Sequence, residues 1–386
     1  FHGADDTSVP EKRSRQMVEA IRAAGGTRIK YTLYPGVGHD SWRKAYSGME
    51  LWNWLLAQKL SARVKDQKKD QSGTDQKILE RAQSNRSEIE KVLTSCSDQE
   101  LETLKWLLER MPGSDLESLS AQYLLENLTE ARAAMKEAPW KEQIPEEIFR
   151  DAVLPYASIN ERRDRWRTDF RQRFGPLVAE AKNPSEAAAI LNQKIFKMLD
   201  VKYSTKRPKA DQSPYESMEA GLASCTGLSV LLIDACRSVG VPARFVGTPL
   251  WSDGSGNHSW VEIWDDGWHF TGAAEPTGDE LDRAWFTGRA SRASSENPKN
   301  AIYAVTWRAT PISFPMTWKP QDQSVQAVDV TDRYTAGEVT IADGHARVRF
   351  RVIDPESKER KASSITVYGE DSHLHFEGVS KDERFD

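Results

Sequence analysis

The chain has 386 residues, of which 38% are hydrophobic and 29% are charged, and its formal net charge is −5. This length is enough for two or three domains, and the small negative charge gives no broad basic field for nucleic acid. No apolar run approaches the roughly 18 residues of a membrane span, and three cysteines are too few for a disulfide scaffold. The composition therefore predicts a multidomain protein that neither binds nucleic acid nor spans a membrane.

Residues 1–60 have the pattern of the end of an α/β fold. The predicted elements are a helix over Glu11–Ala24, a strand over Ile29–Leu33 and a helix over Glu50–Leu60. Two loops carry the motifs HGADDTSVP, which contains Asp6, and GVGHDSW, which contains His39. These motifs resemble the C-terminal portion of an α/β-hydrolase of the esterase and prolyl-oligopeptidase type. The resemblance implies that Asp6 is a triad acid and His39 a triad base.

In that fold a serine in a Gly-x-Ser-x-Gly turn precedes the acid and the histidine, and the sequence contains no such motif. We therefore interpret residues 1–60 as the C-terminal remnant of an α/β-hydrolase, inactive by itself, and the chain as a fragment of a larger protein. The alternative is that His39 is an ordinary loop histidine. Residues 61–75 are rich in Lys, Asp, Gln and Ser, which predicts a polar linker.

Residues 76–200 are predicted to be mostly helical. Ser97 and Glu100 have the spacing of a capping box, ahead of a helix that runs to Met111. Further helices are expected over Tyr123–Ala138 and Glu146–Ala157, and from Pro184 to about Leu199. In Asn160–Phe174 arginines alternate with acids, which we interpret as a solvated face with ion pairs. A nucleic-acid-binding patch is the alternative.

Cys225 begins an apolar helix. Leucine, alanine and valine side chains recur behind it at helical spacing, and Gly240 followed by Pro242 predicts the end of the helix. A thiol in the first turn is close to the positive end of the helix dipole, which lowers its pKa. The alternative is a small core residue, which is our interpretation of Cys236.

Two strands follow this helix. Ala243–Pro249 predicts the first, and His258–Trp264 predicts the second after a turn at Asp253–Asn257. In the second strand His258 shares a face with Trp260 and Glu262. An imidazole next to a thiolate gives a Cys–His pair that can attack an acyl carbon.

Cys225 on its helix, the strand GVPARFVG over Gly240–Gly247 and HSWVEIW over His258–Trp264 together resemble the transglutaminase-like (papain-like) superfamily. The resemblance implies a Cys–His–acid triad, with Cys225 as nucleophile and His258 as base. The family usually places the third member before a proline just after the next strand. Glu275-Pro276 is the acid–proline match, at a longer spacing than usual, so Glu275 is the candidate. The alternatives are Asp265 and Asp266. No metal or organic cofactor is implied.

Residues 321–386 are predicted to form strands. The segments are Ala327–Val330, Val339–Ile341, Ala346–Val352 and Ser364–Tyr368. They resemble part of a β-sandwich of the immunoglobulin or carboxypeptidase-regulatory kind. His373 and His375 are two residues apart, which permits a metal site, but we interpret them as part of an exposed strand pair.

The predicted fold class is α+β. A transglutaminase-like domain with an N-terminal helical layer covers residues 76–320, between the partial α/β-hydrolase and the partial β-sandwich. We predict cysteine-dependent acyl transfer on amide bonds of a peptide or protein substrate, as a peptidase, an amidase or a transglutaminase-type enzyme. The alternative is a non-catalytic binding or scaffold domain attached to a hydrolase that carries the activity. The modular organisation favours a bacterial protein that acts outside the cytoplasm.

Overall fold

The computed structural model of the protein describes residues 1–23, 29–47, 51, 74–335, 352, 363–368 and 374–380. The chain divides into two compact units, Phe1–Thr74 and Asp75–Asp386. The helix predicted over Glu50–Leu60, the linker, His373 and the strands predicted over Val339–Ile341 and Ala346–Val352 lie wholly or almost wholly outside the described residues. Helices of five or more residues and all strands are numbered in chain order below.

The first unit contains a short parallel strand pair and two helices. In chain order these are β1 (His2–Gly3), α1 (Glu11–Ala23), β2 (Leu33–Tyr34) and α2 (Ser41–Ser47). Strand β2 therefore begins later than the strand predicted over Ile29–Leu33. A Cβ at Gly3 would lie 2.1 Å from the carbonyl oxygen of Gly38. Glycine at this position thus allows the two motif-bearing loops to pack closely.

The second unit begins with a helical layer. Its helices are α3 (residues 74–81), α4 (Arg86–Thr94), α5 (Asp98–Arg110) and α6 (Ala121–Glu137), with a one-turn helix at Gly113–Leu116. Their buried leucines form one apolar core, as the helical spacing predicts. The Ser97 hydroxyl donates to the carboxylate of Glu100 at 3.0 Å and makes no bond to the helix backbone. This bond joins two side chains and is not part of a capping box, so the prediction of a capping box at Ser97 is wrong.

The segment after α6 leaves regular helical geometry. A short helix at Glu146–Ile148 leads into a π-helical turn at Phe149–Val153, so the predicted helix over Glu146–Ala157 is interrupted. Two buried arginines donate to five of the six backbone carbonyls of residues 152–157, and the indole of Trp166 donates to the sixth, that of residue 156. Arg167 donates to the carbonyls of residues 153, 154 and 155, and Arg237 donates to those of residues 152, 155 and 157. Such guanidinium groups replace the missing backbone partners.

These contacts correct the prediction for Asn160–Phe174. Helix α7 (Arg167–Phe174) is not a solvated face, because Arg167 is only 5% exposed and Phe170 and Phe174 are fully buried. Its ion pairs reach other elements, as in the pair of Arg171 with Glu130 at 2.7 Å. The predicted ion pairs are therefore present, but one arginine of the segment, Arg167, is buried and binds backbone carbonyls instead of facing solvent.

Three helices lead to the sheet. They are α8 (Pro184–Met198), α9 (Pro214–Ala220) and α10 (Cys225–Ser238), with a two-residue parallel pair of β3 (Lys202–Tyr203) and β4 (Leu222–Ala223) between them. A complete capping box begins α9, formed by Ser213 and Glu216. Helix α10 ends as predicted, since Gly240 has a φ of 78° in the left-handed region.

Six antiparallel strands form the main sheet in the order β7-β6-β5-β8-β10-β9. They are β5 (Ala243–Thr248), β6 (His258–Trp264), β7 (Trp268–Thr271), β8 (Tyr303–Val305), β9 (Ile312–Ser313) and β10 (Gln326–Asp329). Val261 and Ile263 share a core with the apolar residues of α10, whereas Trp260 joins a second, aromatic cluster with Phe286. Helix α10 therefore packs on one face of the sheet, and the aromatic cluster covers the other.

The predicted boundary at residue 320 lies inside this sheet. Strand β10 pairs with both β8 and β9, and helix α11 (Thr331–Thr335) follows it with Tyr334 in the aromatic cluster. Beyond α11, β11 (Ser363–Tyr368) and β12 (Leu374–Ser380) form an antiparallel pair. None of the helices in the described ranges is long and apolar enough to cross a membrane.

Candidate active site

Cys225 is the first residue of α10, and its helix N-terminus has no side-chain cap. The hydroxyl of the N-cap residue Ser224 donates to the carbonyl oxygen of Ala210 at 3.1 Å and makes no bond to the helix. The first intrahelical bond joins the Leu228 amide to the Ser224 carbonyl at 2.9 Å. Backbone N–H groups of the first turn have no intrahelical partner, and a helix N-terminus attracts negative charge. This end of α10 is therefore suited to a thiolate or an oxyanion.

The thiol of Cys225 is held against strand β6. Burial raises its pKa, although hydrogen bonds with Ser259 and Thr226 act in the opposite direction. The hydroxyls of Thr226 and Ser259 are 3.3 Å apart, which ties the first turn of α10 to β6. The expectation of a lowered thiol pKa is therefore wrong for this structure, because loss of solvent outweighs these hydrogen bonds. The contact with Ser259 places the thiol one residue along the strand from His258.

His258 is the first residue of β6, and it is surrounded by aromatic rings. The imidazole is 8% exposed. Its ring centroid is 4.9 Å from that of Phe286, 5.0 Å from Trp285 and 5.9 Å from both Trp251 and Trp260. Burial lowers the pKa of His258 to about 4, and the positive charge of Arg289 adds to this effect. The imidazole is therefore neutral at neutral pH, in the form that can accept a proton.

Glu275 lies in a tight turn after β7. Its amide donates to the Gly272 carbonyl at 3.1 Å, and the side chain of Asn192 bonds to residues 271, 272 and 274 of the same turn. Burial raises the pKa of the Glu275 carboxyl. The carboxylate accepts a hydrogen bond from the indole nitrogen of Trp285 at 2.8 Å. No hydrogen bond joins Cys225, His258 and Glu275 to one another in the part of the chain that is described.

The two alternative acids are at the far end of the strand from the histidine. Asp265 and Asp266 follow the last residue of β6, whereas His258 is the first. Seven residues of extended chain span about 20 Å, and Asp265 accepts a hydrogen bond from the Ser185 amide at 3.2 Å. Neither aspartate can therefore reach the imidazole. Cys236 is fully buried, and burial raises its pKa, as expected for a core thiol.

Sequence reasoning missed Trp285. Its ring contacts His258, its indole nitrogen bonds Glu275, and the guanidinium of Arg289 lies 5.5 Å from its ring centroid. A possible signal was a large aromatic residue at the end of a polar loop, GDELDRAW, with no periodic apolar neighbours. The link from the base to the acid therefore passes through a residue outside the motifs.

The first unit brings its two predicted residues together. The Nδ1 atom of His39 is 3.0 Å from a carboxylate oxygen of Asp6. The other oxygen of Asp6 accepts from the amides of Val9 and Ser8, and these bonds, with that to Val9 the strongest, lower the pKa of Asp6. The Nε2 atom of His2 is 3.5 Å from the same carboxylate. Both residues of this acid–histidine contact belong to the first unit.

Comparison with known proteins relates part of the second unit to a known superfamily. Residues 171–272 match the model of the transglutaminase-like superfamily, so they form a domain of that superfamily. The match contains Cys225 and His258 and ends before Glu275. A solved protein from Cytophaga hutchinsonii, described as a putative cysteine protease, is similar at 15% identity and a TM-score of 0.25. That similarity covers 29% of this chain and 40% of that one. A comparison with curated proteins finds no significant match.

Proposed function

We propose that the second unit catalyses acyl transfer on amide bonds of peptides or proteins, as a peptidase, an amidase or a transglutaminase-type enzyme, with Cys225 as the nucleophile. The observation that carries this proposal is the position of the Cys225 thiol. It lies at an uncapped helix N-terminus, against β6, one residue from a buried neutral imidazole. The superfamily match over residues 171–272 supports the same class of chemistry.

The reaction begins with proton transfer from the Cys225 thiol to the imidazole of His258. The sulfur then bonds to the carbonyl carbon, and the carbonyl electrons become an oxyanion next to the first-turn amides of α10. When the oxyanion collapses, the carbon–nitrogen bond breaks and the leaving amine takes the proton from His258. Water or a second amine attacks the resulting thioester and gives its proton to His258. Breaking the carbon–sulfur bond then returns that proton to the thiol.

Glu275 has the task of stabilising the imidazolium that forms in each step. Burial and Arg289 both disfavour a positive charge on His258, so the imidazolium needs a nearby anion. The carboxylate of Glu275 is connected to His258 through one shared neighbour, Trp285. We propose that Glu275 accepts a hydrogen bond from His258 during the reaction.

The second candidate function is a non-catalytic binding or scaffold domain. The raised pKa of the Cys225 thiol favours it, as does the absence, within the described residues, of a hydrogen bond between Cys225 and His258. In that case the activity belongs to an α/β-hydrolase of which residues 1–60 are the C-terminal part. The 3.0 Å contact between Asp6 and His39 supports this hydrolase assignment.

Hydrolysis of peptide amides and activated esters separates the two candidates. We expect substitution of Cys225 by Ala to reduce turnover to background, and His258→Ala to reduce it by about 10²- to 10⁴-fold. The matched control is Cys96→Ser, which removes another thiol that is not fully buried and should leave turnover unchanged. Addition of a primary amine separates hydrolysis from transamidation. Turnover that persists in Cys225→Ala contradicts the proposal.

A further inference from the structure

Trp285 is an exposed aromatic side chain at the centre of the candidate site. Its side chain is 57% exposed, although its neighbour Phe286 is fully buried in the aromatic cluster. It follows that Trp285 contributes little to the core and can move outward without opening a cavity. Its indole nevertheless makes specific contacts, a 2.8 Å bond to Glu275 and a ring contact with His258.

The bond from Trp285 holds one oxygen of the carboxylate that we propose as the partner of His258. Oxygen Oε2 of Glu275 accepts from the indole, and the absence of a side chain at Gly272 leaves room for this oxygen, since a Cβ there would lie 2.4 Å from it. Trp285 and Gly272 thus fix the direction of the carboxyl group. Only Trp285 is free to change this arrangement, because Gly272 belongs to the backbone of the turn.

The imidazole side of the site has a complementary unpaired atom. The Nε2 atom of His258 is buried and has no hydrogen-bond partner among the residues that the structure describes. A buried polar atom without a partner is costly. The charge that acts on His258 among the described residues is that of Arg289, which is itself 3.4 Å from Asp253. Glu275 shares the neighbour Trp285 with His258, so we take it as the acceptor that could serve this atom once the indole moves.

We propose that Trp285 is a positioning residue that withholds Glu275 from His258 in the free protein and releases it when the indole moves outward. This inference rests on the proposed function. After release, the Glu275 carboxylate accepts a hydrogen bond from Nε2–H, and Nδ1 is left to take the proton of the Cys225 thiol. The thiolate then forms at the N-terminus of α10. Substrate entry or a bound partner supplies the displacement.

The test is the pH dependence of Cys225 alkylation by iodoacetamide, followed by peptide mass spectrometry. Trp285→Phe keeps the aromatic ring and removes the N–H donor. We expect its alkylation midpoint to fall by about one pH unit relative to wild type, which is about a tenfold gain in rate below the midpoint. The double variants Trp285→Phe with Glu275→Gln, and with His258→Ala, should lose this gain.

The matched control is Trp318→Phe, whose indole donates to the side-chain oxygen of Asn160 at 3.0 Å. Its midpoint should equal that of wild type. If the substitution only gave iodoacetamide easier access to the Cys225 thiol, the alkylation rate would rise by the same factor at every pH and the midpoint would not move. A rate gain without a shift of the midpoint therefore overturns the proposal. An unchanged or raised midpoint in Trp285→Phe overturns it as well, as does a gain that survives Glu275→Gln.

The two proposals fail separately. A lowered midpoint in Trp285→Phe with no turnover of any amide or ester refutes the proposed reaction and leaves the role of Trp285 intact. Cys225-dependent turnover together with an unchanged midpoint in Trp285→Phe supports the proposed reaction and refutes the role of Trp285. Because Trp285 is exposed, we expect the Trp285→Phe variant to fold like wild type. Circular dichroism checks that it does.

Discussion

The buried glutamate of the HSWVEIW segment provides the sharpest test of how this fold is stabilised. Glu262 is fully buried on β6. Its carboxylate accepts from the Arg244 guanidinium at 2.8 Å, from the Tyr334 hydroxyl at 2.7 Å and from Arg333. These bonds tie β6 to β5 and to α11. We expect Glu262→Gln to be strongly destabilising, because it removes a buried carboxylate that Arg244 and Arg333 share.

The expected size of the effect follows from burial. Removing one partner of a buried ion pair typically costs about 3–5 kcal/mol, whereas an exposed pair contributes about 0–1 kcal/mol. The matched control is Glu280→Gln, whose pair with Arg283 is exposed on both sides. Urea unfolding at neutral pH measures both variants. A loss of unfolding free energy in Glu262→Gln no larger than in Glu280→Gln would refute the reasoning.

The same group gives a pH dependence with a defined sign. Burial raises the pKa of Glu262, but the charges of Arg333 and Arg244 outweigh it and hold the pKa below the usual glutamate value. A lowered pKa contributes stability that is fully present above the unfolded-state pKa and is lost as the pH falls through the folded-state pKa. Wild type should therefore lose stability on acidification, and Glu262→Gln should lose less over the same acidic range.

Three further predictions concern other parts of the chain. A Cβ at Gly227 would lie 3.1 Å from the nearest side-chain carbon, so Gly227→Ala should lower unfolding free energy by about 1–3 kcal/mol. The control is Gly113→Ala, where the added Cβ would have nothing within 4 Å. It should show no loss of unfolding free energy from steric overlap. Asp282, 2.6 Å from His269, raises the histidine pKa. The stability from this pair is present below the ordinary histidine pKa and lost as pH rises through the raised value. An NMR titration should show the shift disappear in Asp282→Asn. Asp6→Asn should leave ester hydrolysis unchanged, and a loss of activity would place the chemistry in the first unit.

Much of the fold around the site could be predicted from periodicity. The predicted bounds of β6 agree with the structure, because strict alternation over His258–Trp264 is bounded by turn residues on both sides. Helix α10 was likewise predictable from its apolar spacing and from Gly240. A helix or strand can be predicted from the sequence when its apolar residues recur at regular spacing on one buried face.

The remaining features depend on contacts with no sequence period. Arg167 is buried because a π-helical turn elsewhere exposes carbonyls that need donors. The sequence does not mark that turn. The contact of Trp285 with Glu275 joins two loop residues ten positions apart, and loop geometry sets it. The raised pKa of Cys225 depends on how tightly β6 covers the thiol, which the helix pattern does not reveal.

The central claim is that Cys225 forms a thioester with His258 as its base, and intact-protein mass spectrometry during a single turnover of an activated ester tests it most directly. The account predicts an added acyl mass that maps to the peptide containing Cys225. It is absent in Cys225→Ser, accumulates more slowly in His258→Ala, and is as fast in Cys96→Ser as in wild type. An acyl adduct on another residue, or none on Cys225 while product is released, would contradict the account.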